Sequence, residues 1–598
     1  MYRRHLFFSQ QLCWPLCPKP EERASSIDEL CVLRALRFPF AITNVLKVCS
    51  TSRPKALRTS RQIIFATIIF ALVALLLQAW RSQVLLASYD QGIFQQVLWN
   101  SLRGHPFEST LSSQLSTNVI HSGEPAGLGY ARLGQHFTPS LLLWAPLFGL
   151  IGGAALPIIQ VGLIVSAGLV LHQLALQLVP ARTANWLTYG FYGGNALIGP
   201  TLGNFTDLCQ LPLAVFALML GLQRRMKWLI LSAAVLIPLI REDTGIMLIA
   251  IGLWLLLREP KRWPMAIALI IWGAGWMVLV TNALMPLFSD DNSKRFMVEN
   301  FGQYLDVDPN EGASSLSMVQ QALSQPLVMF KELISPPGQT FLYLLGHGLP
   351  FLMVPLISLD AWVLAGPSLL GLFLAQGSND PLSITIRYTL LVVPGFSLGT
   401  LLWWSRRQQA IPGRRTRLAW GIAISLSLLL TVGSNPHRSL SWVVPDSVKP
   451  MVFSSPIQQW EHGRNARQIL GLIPKNASVS ANTPLIPLIA QREVAVRYPE
   501  SLHYLDRDKN KLAVEWIAVD LDWLERYSVA FRSDWRELRL IKQELPDQMD
   551  AYRVQGFMDG IAVLQQNGPL KPDLERQLQE RLATPLPPDP RQQAAEKL

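Results

Sequence analysis

The chain has 598 residues, half of them hydrophobic and only 16% charged, with a formal net charge of +11 at pH 7. The apolar residues come in long runs rather than in the short alternations of a soluble core, which argues against a water-soluble fold. Much of the basic excess sits in short loops between those runs, where it orients helices in a bilayer, so the charge does not point to nucleic acid as a partner.

Residues 1–57 carry Arg3, Arg4, Arg23, Arg34 and Arg37 without the order of basic, apolar and cleavage regions that marks a signal peptide, and read as a poorly ordered cytoplasmic extension. Cys13, Cys17, Cys31 and Cys49 fall here, too scattered for a disulfide framework. The transmembrane domain, 58–434, opens with the span IIFATIIFALVALLLQAW at 63–80. Lys55, Arg58 and Arg61 precede it, so the positive-inside rule places the N-terminus in the cytoplasm and the loop 88–136 outside.

That loop begins Ser88-Tyr89-Asp90-Gln91 and continues into an amphipathic run whose Ile93, Phe94, Val97 and Leu98 share one helical face, as in a helix lying at the membrane surface. The loop returns through His136 into 137–150 (FTPSLLLWAPLFGL), which is short for a span, contains Pro139 and Pro146, and reads as re-entrant or interfacial. Further crossings are expected near 155–178, 183–200, 208–222, 228–240, 245–257, 263–283, 340–357, 361–376, 387–404 and 418–433, about eleven with the first. A second outer loop occupies 284–339. The basic loops 223–227 (QRRMK), 258–262 (REPKR) and 406–417 (RRQQAIPGRRTR) then all face the cytoplasm.

The same alternation puts Tyr89-Asp90-Gln91, Asn204-Phe205-Thr206-Asp207, Arg241-Glu242-Asp243 and Ser378-Asn379-Asp380 on the outer side. Acidic motifs at helix ends on one face are what a catalytic or binding cavity there needs. From 435 to 570, short apolar runs (477–479, 494–496, 516–519, 561–564) alternate with charged helical stretches such as 523–540, predicting an extracytoplasmic α/β domain. Residues 571–598 read as a polar, Pro-rich tail, disordered from Thr584 onward.

Each candidate residue has a chemical and a plainer reading. Asp90 is either a carboxylate poised for chemistry or the N-terminal cap of the surface helix. Arg241, Glu242 and Asp243 either bind something or pair internally and staple two helices, since unpaired charge at a membrane boundary is costly. Asp207 is a binding residue or a solvated loop aspartate, and the preceding Asn204-Phe205-Thr206 is a formal glycosylation sequon. His136 contacts phosphate, carries a proton or is structural. Arg387 with Tyr388 opens a span and either pairs with a lipid-linked phosphate or snorkels to headgroups. No Walker loop, GxGxxG fingerprint, HExxH motif or Cys/His metal set is present in the sequence.

The segments 89–100 (YDQGIFQQVLWN), 104–107 (GHPF) and 136–139 (HFTP) with Ala145-Pro146-Leu147, then Arg241-Glu242-Asp243, then Ile473-Pro474 to Pro499, resemble a family of predicted bacterial and archaeal membrane proteins of the GT-C glycosyltransferase-like clan. The resemblance covers residues 62–565. It implies a GT-C-like enzyme of the bacterial plasma membrane that transfers a sugar from a polyprenyl-phosphate donor to an envelope acceptor on the outer face. In that picture Asp90 acts at the acceptor or at a metal, Glu242 and Asp243 orient an arginine or hold an optional divalent cation, and Arg241 or Arg387 meets the phosphate. Thr206 departs from the His expected beside the aromatic residue there, which puts a catalytic role for that loop in doubt. The competing readings are a transporter or flippase of a lipid-linked or amphipathic solute, for which no internal repeat speaks, and a non-catalytic envelope protein.

Overall fold

A computed structural model describes residues 59–289, 324–375, 382–407 and 411–590. The N-terminal extension with its four cysteines, Ser378-Asn379-Asp380, most of the expected second outer loop and the last eight residues lie outside the described part.

Helix α1 (Arg61–Gln83) starts at Ser60, whose hydroxyl caps the Ile63 amide. Only Ile63, Thr67, Ala74, Gln78 and Arg81 are buried, a stripe at helical spacing, while Phe65, Leu72 and Leu76 stay exposed as lipid-facing residues do. The buried polar ends of that stripe are satisfied: the Gln78 amide donates to the Thr201 and Gly203 carbonyls, and Arg81 to those of Leu86 and His437.

Five segments among the described residues are long and apolar enough to cross a membrane: Arg61–Gln83, Pro139–Leu178, Pro260–Leu287, Arg387–Arg406 and Arg414–Ser434. The expected crossings near 228–240, 245–257 and 361–376 appear as shorter apolar helices, and the one near 183–200 is broken between Ala181–Tyr192 and Asn195–Leu202 at Gly193-Gly194. Residues 139–151 form a six-residue 3-10 turn and the two-turn helix Ala145–Ile151, which ends at Gly152 with φ of 60° before α3 (Ala155–Leu178) begins. Helices α4 (Leu211–Arg224), α5 (Lys227–Ile240), α6 (Gly245–Arg258), α7 (Leu359–Leu374), α8 (Val393–Arg406) and α9 (Arg414–Ser434) complete the part of the bundle that frames the site. Gly395 and Gly399 of α8 lie directly against Ala365 and Ala361 of α7, the small-residue packing that lets membrane helices approach closely.

The three basic loops meet at one end of the bundle. Asp360, buried at the start of α7, accepts from Arg258 Nε at 2.9 Å and from Arg406, while Arg262 donates to the Leu222 carbonyl and the Trp404 and Trp420 rings stack at 5.5 Å. At the other end the chain segments after α1, before α4, before α8 and after α9 converge. There Asn204 exchanges hydrogen bonds with Ser88, and His437 Nε2 lies 2.8 Å from the Thr385 carbonyl oxygen.

The C-terminal domain sits at this second end. Strands β1 (Val479–Ala481), β2 (Ala495–Arg497), β3 (Trp516–Asp520), β4 (Tyr552–Met558) and β5 (Ile561–Gln566) form one sheet in the order β2-β1-β3-β5-β4, parallel on one side of β3 and antiparallel on the other. The 523–540 helical stretch is two helices, Leu521–Ser528 and α10 (Arg532–Gln548). The folded part also runs past 570. Helix Pro572–Leu582 buries Leu578 and Leu582, and Pro587 accepts from the Trp535 indole, so the expected tail is held as far as Asp589.

Candidate active site

Helix α2 (Tyr89–Ser101) carries Asp90 in its first turn. Its apolar face does not lie in a membrane surface, as the amphipathic pattern predicts; nearly every residue of α2 is buried by protein. Gly92 packs against Ile486 and Ala490 of the C-terminal domain, Phe94 meets Phe205 edge-on at 5.1 Å, and the Gln96 amide donates to the Arg492 and Glu493 carbonyls. Strand pairing joins the same two regions, Ala126–Gly127 running parallel to His503–Leu505. The outer loop and the distant domain therefore form one wall.

Ser88 stands at the N-cap position of α2 without a side-chain cap bond, its hydroxyl accepting from Asn204 instead, and the carboxylate of Asp90 turns to another partner. Its Oδ2 accepts from Arg387 Nη1 at 2.6 Å, and the two side chains keep 39% and 32% exposure, which leaves the pair reachable from a recess. Burial alone raises the Asp90 carboxyl, but Arg387, with Arg132 and His136 behind it, outweighs that and holds it below its ordinary range. Arg387 is thus committed to a carboxylate rather than snorkelling.

A second pair stands beside the first. His136 Nδ1 lies 2.8 Å from Glu242 Oε1, and the Phe137 amide donates to Glu242 Oε2 at 2.9 Å. Desolvation pushes the Glu242 carboxyl up, and His136 and Arg241 more than reverse it, so Glu242 is held ionised. Arg241 turns back on its own motif. Its Nε donates to Asp243 Oδ1 at 2.8 Å and a second nitrogen grips Oδ2. The Tyr388 ring lies between the arginines, 5.5 Å from the Arg241 guanidinium and 5.4 Å from that of Arg387.

Asp207 is not a solvated loop residue: it is 2% exposed, and its Oδ1 accepts from the Leu208 amide at 2.8 Å and from the Thr206 hydroxyl. It exerts its charge on Arg132, Arg241 and Arg387. The eight residues Asp90, His136, Asp207, Arg241, Glu242, Asp243, Arg387 and Tyr388 thus fall in one neighbourhood, drawn from five stretches of the chain. Arg132 belongs there too and carries no motif in the sequence; the structure brings it in by a backbone turn in which the His136 amide donates to its carbonyl.

Glu242 and Asp243 face different partners, and among the described residues no group of three or more His, Cys, Asp or Glu is arranged to hold a metal ion. As placed, the two carboxylates do not fit a shared cation.

A family model described as "Predicted membrane protein (DUF2079)" matches residues 81–563. The chain belongs to the DUF2079 family. The match runs from the end of α1 into β5 and takes in every candidate site residue, so in this DUF2079 protein the membrane bundle and the C-terminal domain are one family unit. No curated protein matches the chain. Among solved structures it is similar to ArnT from Cupriavidus metallidurans bound to undecaprenyl phosphate, at 12% identity over 85% of this chain and 98% of that one, with a TM-score of 0.46. It is also similar to the Archaeoglobus fulgidus oligosaccharyltransferase in complex with zinc and sulfate, at 12% identity over 81% and 71% of the two chains, with a TM-score of 0.38.

Proposed function

We propose that this membrane protein is a GT-C-type glycosyltransferase that moves a sugar from a polyprenyl-phosphate donor to an envelope acceptor at the outer face of the bacterial plasma membrane. The observation that carries the reading is the Asp90–Arg387 pair, a carboxylate and a guanidinium left reachable in a recess at the end of the bundle opposite the basic loops. By the positive-inside rule those loops face the cytoplasm, which puts the recess and the C-terminal domain outside.

In this mechanism the acceptor hydroxyl attacks the anomeric carbon from the side opposite the phosphate. A new C–O bond forms, the bond to the lipid phosphate breaks with its electron pair passing to the phosphate oxygen, and the hydroxyl proton goes to Asp90. The configuration at carbon inverts. Arg387 links the two events: as negative charge grows on the leaving phosphate the guanidinium shifts its bonding toward it, and the proton affinity of Asp90 rises as the cation withdraws. His136 with Glu242, and Arg241 with Asp243, hold the surrounding charges in place. An optional divalent cation enters no step, because the carboxylates that would hold it are bound to His136 and Arg241.

The test is transfer of radiolabelled sugar from a panel of polyprenyl-phosphate donors to envelope acceptors by the purified protein in liposomes. Labelled acceptor with inverted linkage supports the reading. Donor crossing the bilayer without product supports a transporter instead.

A further inference from the structure

Arg132 lies where the long loop after α1 returns to the bundle. Its backbone is fixed on both sides: its amide donates to the Phe107 carbonyl at 2.8 Å, and its own carbonyl accepts from the Gln135 and His136 amides. The side chain is thereby held inside, 6% exposed, with the guanidinium carbon 4.7 Å from the centre of the Phe94 ring.

What the guanidinium lacks there is an anion. A guanidinium offers five N–H donors, and among the described residues Arg132 uses one, a 3.5 Å bond from Nη1 to Ser112 Oγ; its Nε is buried with no partner. It makes no ion pair among them, whereas Arg387 is taken by Asp90 and Arg241 by Asp243. The charges it feels, from Asp207, Asp90 and Glu242, act at a distance, and burial pulls its proton affinity down despite them. A buried cation with unfilled donors is expensive unless a partner arrives. The partner has to be negative, and planar fork geometry favours the oxygens of a phosphate. Arg387 is near enough for its charge to be felt at Arg132, so an anion carrying more than one charge meets a second guanidinium there once Asp90 releases it.

We propose that Arg132 is the residue that takes the phosphate of the lipid-linked donor, with Arg387 joining it as the bond to the sugar breaks. This rests on the transferase reading and assigns the phosphate to a cation that neither the motif Arg241-Glu242-Asp243 nor Arg387-Tyr388 contains. Phe94 and Ser112 position the guanidinium, and Asp207 keeps the region from becoming too positive before the donor enters.

The experiment measures the melting temperature and the affinity of the full-length protein with a long-chain isoprenyl monophosphate, and separately with inorganic phosphate. The wild type is expected to be stabilised by the lipid phosphate. Arg132→Gln should lose that ligand-induced shift and bind roughly 10- to 100-fold more weakly, while Asp90→Asn keeps the shift. Arg132→Lys retains charge without the fork and should fall between; it also serves if the glutamine variant does not fold. A structural role alone would lower the melting temperature equally with and without ligand. Unchanged lipid-phosphate affinity in Arg132→Gln, with wild-type transfer intact, overturns this inference alone. Equal stabilisation by inorganic phosphate overturns the lipid assignment, and a wild type that neither binds lipid phosphate nor transfers sugar overturns the transferase reading together with it.

Discussion

Arg387 sets the proton affinity of Asp90, and removing it has a definite sign. Burial raises a carboxyl and the guanidinium lowers it, so Arg387→Gln removes the chief lowering influence and lets the Asp90 carboxyl rise. The acid limb of the pH profile of kcat/KM should move to higher pH; an unmoved limb would show that Asp90 does not act as the base. His462, in the C-terminal domain, supplies a second pH dependence. It is held between Asp520 at 2.8 Å and Asp559 at 2.7 Å. Burial lowers its pKa, but Asp520 and then Asp559 raise it to about 9. Since this lies above the unfolded value near ~6.5, the stabilisation is complete below about pH 6.5 and is lost as pH rises through about 9, a loss of roughly 3 kcal/mol. Hydrogen exchange of β3, corrected for intrinsic rates, should accelerate over that range in the wild type and not in His462→Gln. The acidic motifs were legible in the sequence because charges at the ends of apolar runs stand out. Arg132 was not, because one arginine in a long polar loop has no spacing to betray it, and the partner-to-partner pairing of Glu242 with His136 joins residues far apart in the chain.

At the scale of elements, α2 is the instructive departure. Its apolar face at 93, 94, 97 and 98 is visible in the sequence, yet the surface that covers α2 comes from residues near 486–495, which periodicity cannot foresee. Gly92 is where the two approach most closely, and Gly92→Leu would drive a side chain into Ile486 and Ala490. It is expected to cost about 1–3 kcal/mol, read as a lowered melting temperature; a neutral result would mean the domain does not rest on α2. Four of the five sheet strands fall on apolar runs evident in the sequence. Strand β4 escapes because Arg553, Gln555 and Gly556 interrupt its apolar residues, and the helix Pro572–Leu582 because three leucines in a charged stretch resemble a tail.

For the whole molecule, the grouping of basic loops at one end and acidic motifs at the other predicts that single cysteines at Lys261 and at His503, both exposed, label with membrane-impermeant maleimide from opposite sides of the bilayer. Labelling from the same side would separate the C-terminal domain from the recess it walls. The long spans and their basic punctuation were plain from hydropathy. The broken helices were not, because a hydropathy run continues through Gly193-Gly194 where the backbone does not. Whether an acid in the first loop performs the chemistry of the recess is read from sugar transfer from a bound polyprenyl-phosphate donor by Asp90→Asn against wild type at matched folding. A rate lower by roughly 10²- to 10⁴-fold with donor binding retained is expected, and turnover within about threefold of wild type would show that Asp90 is not the base.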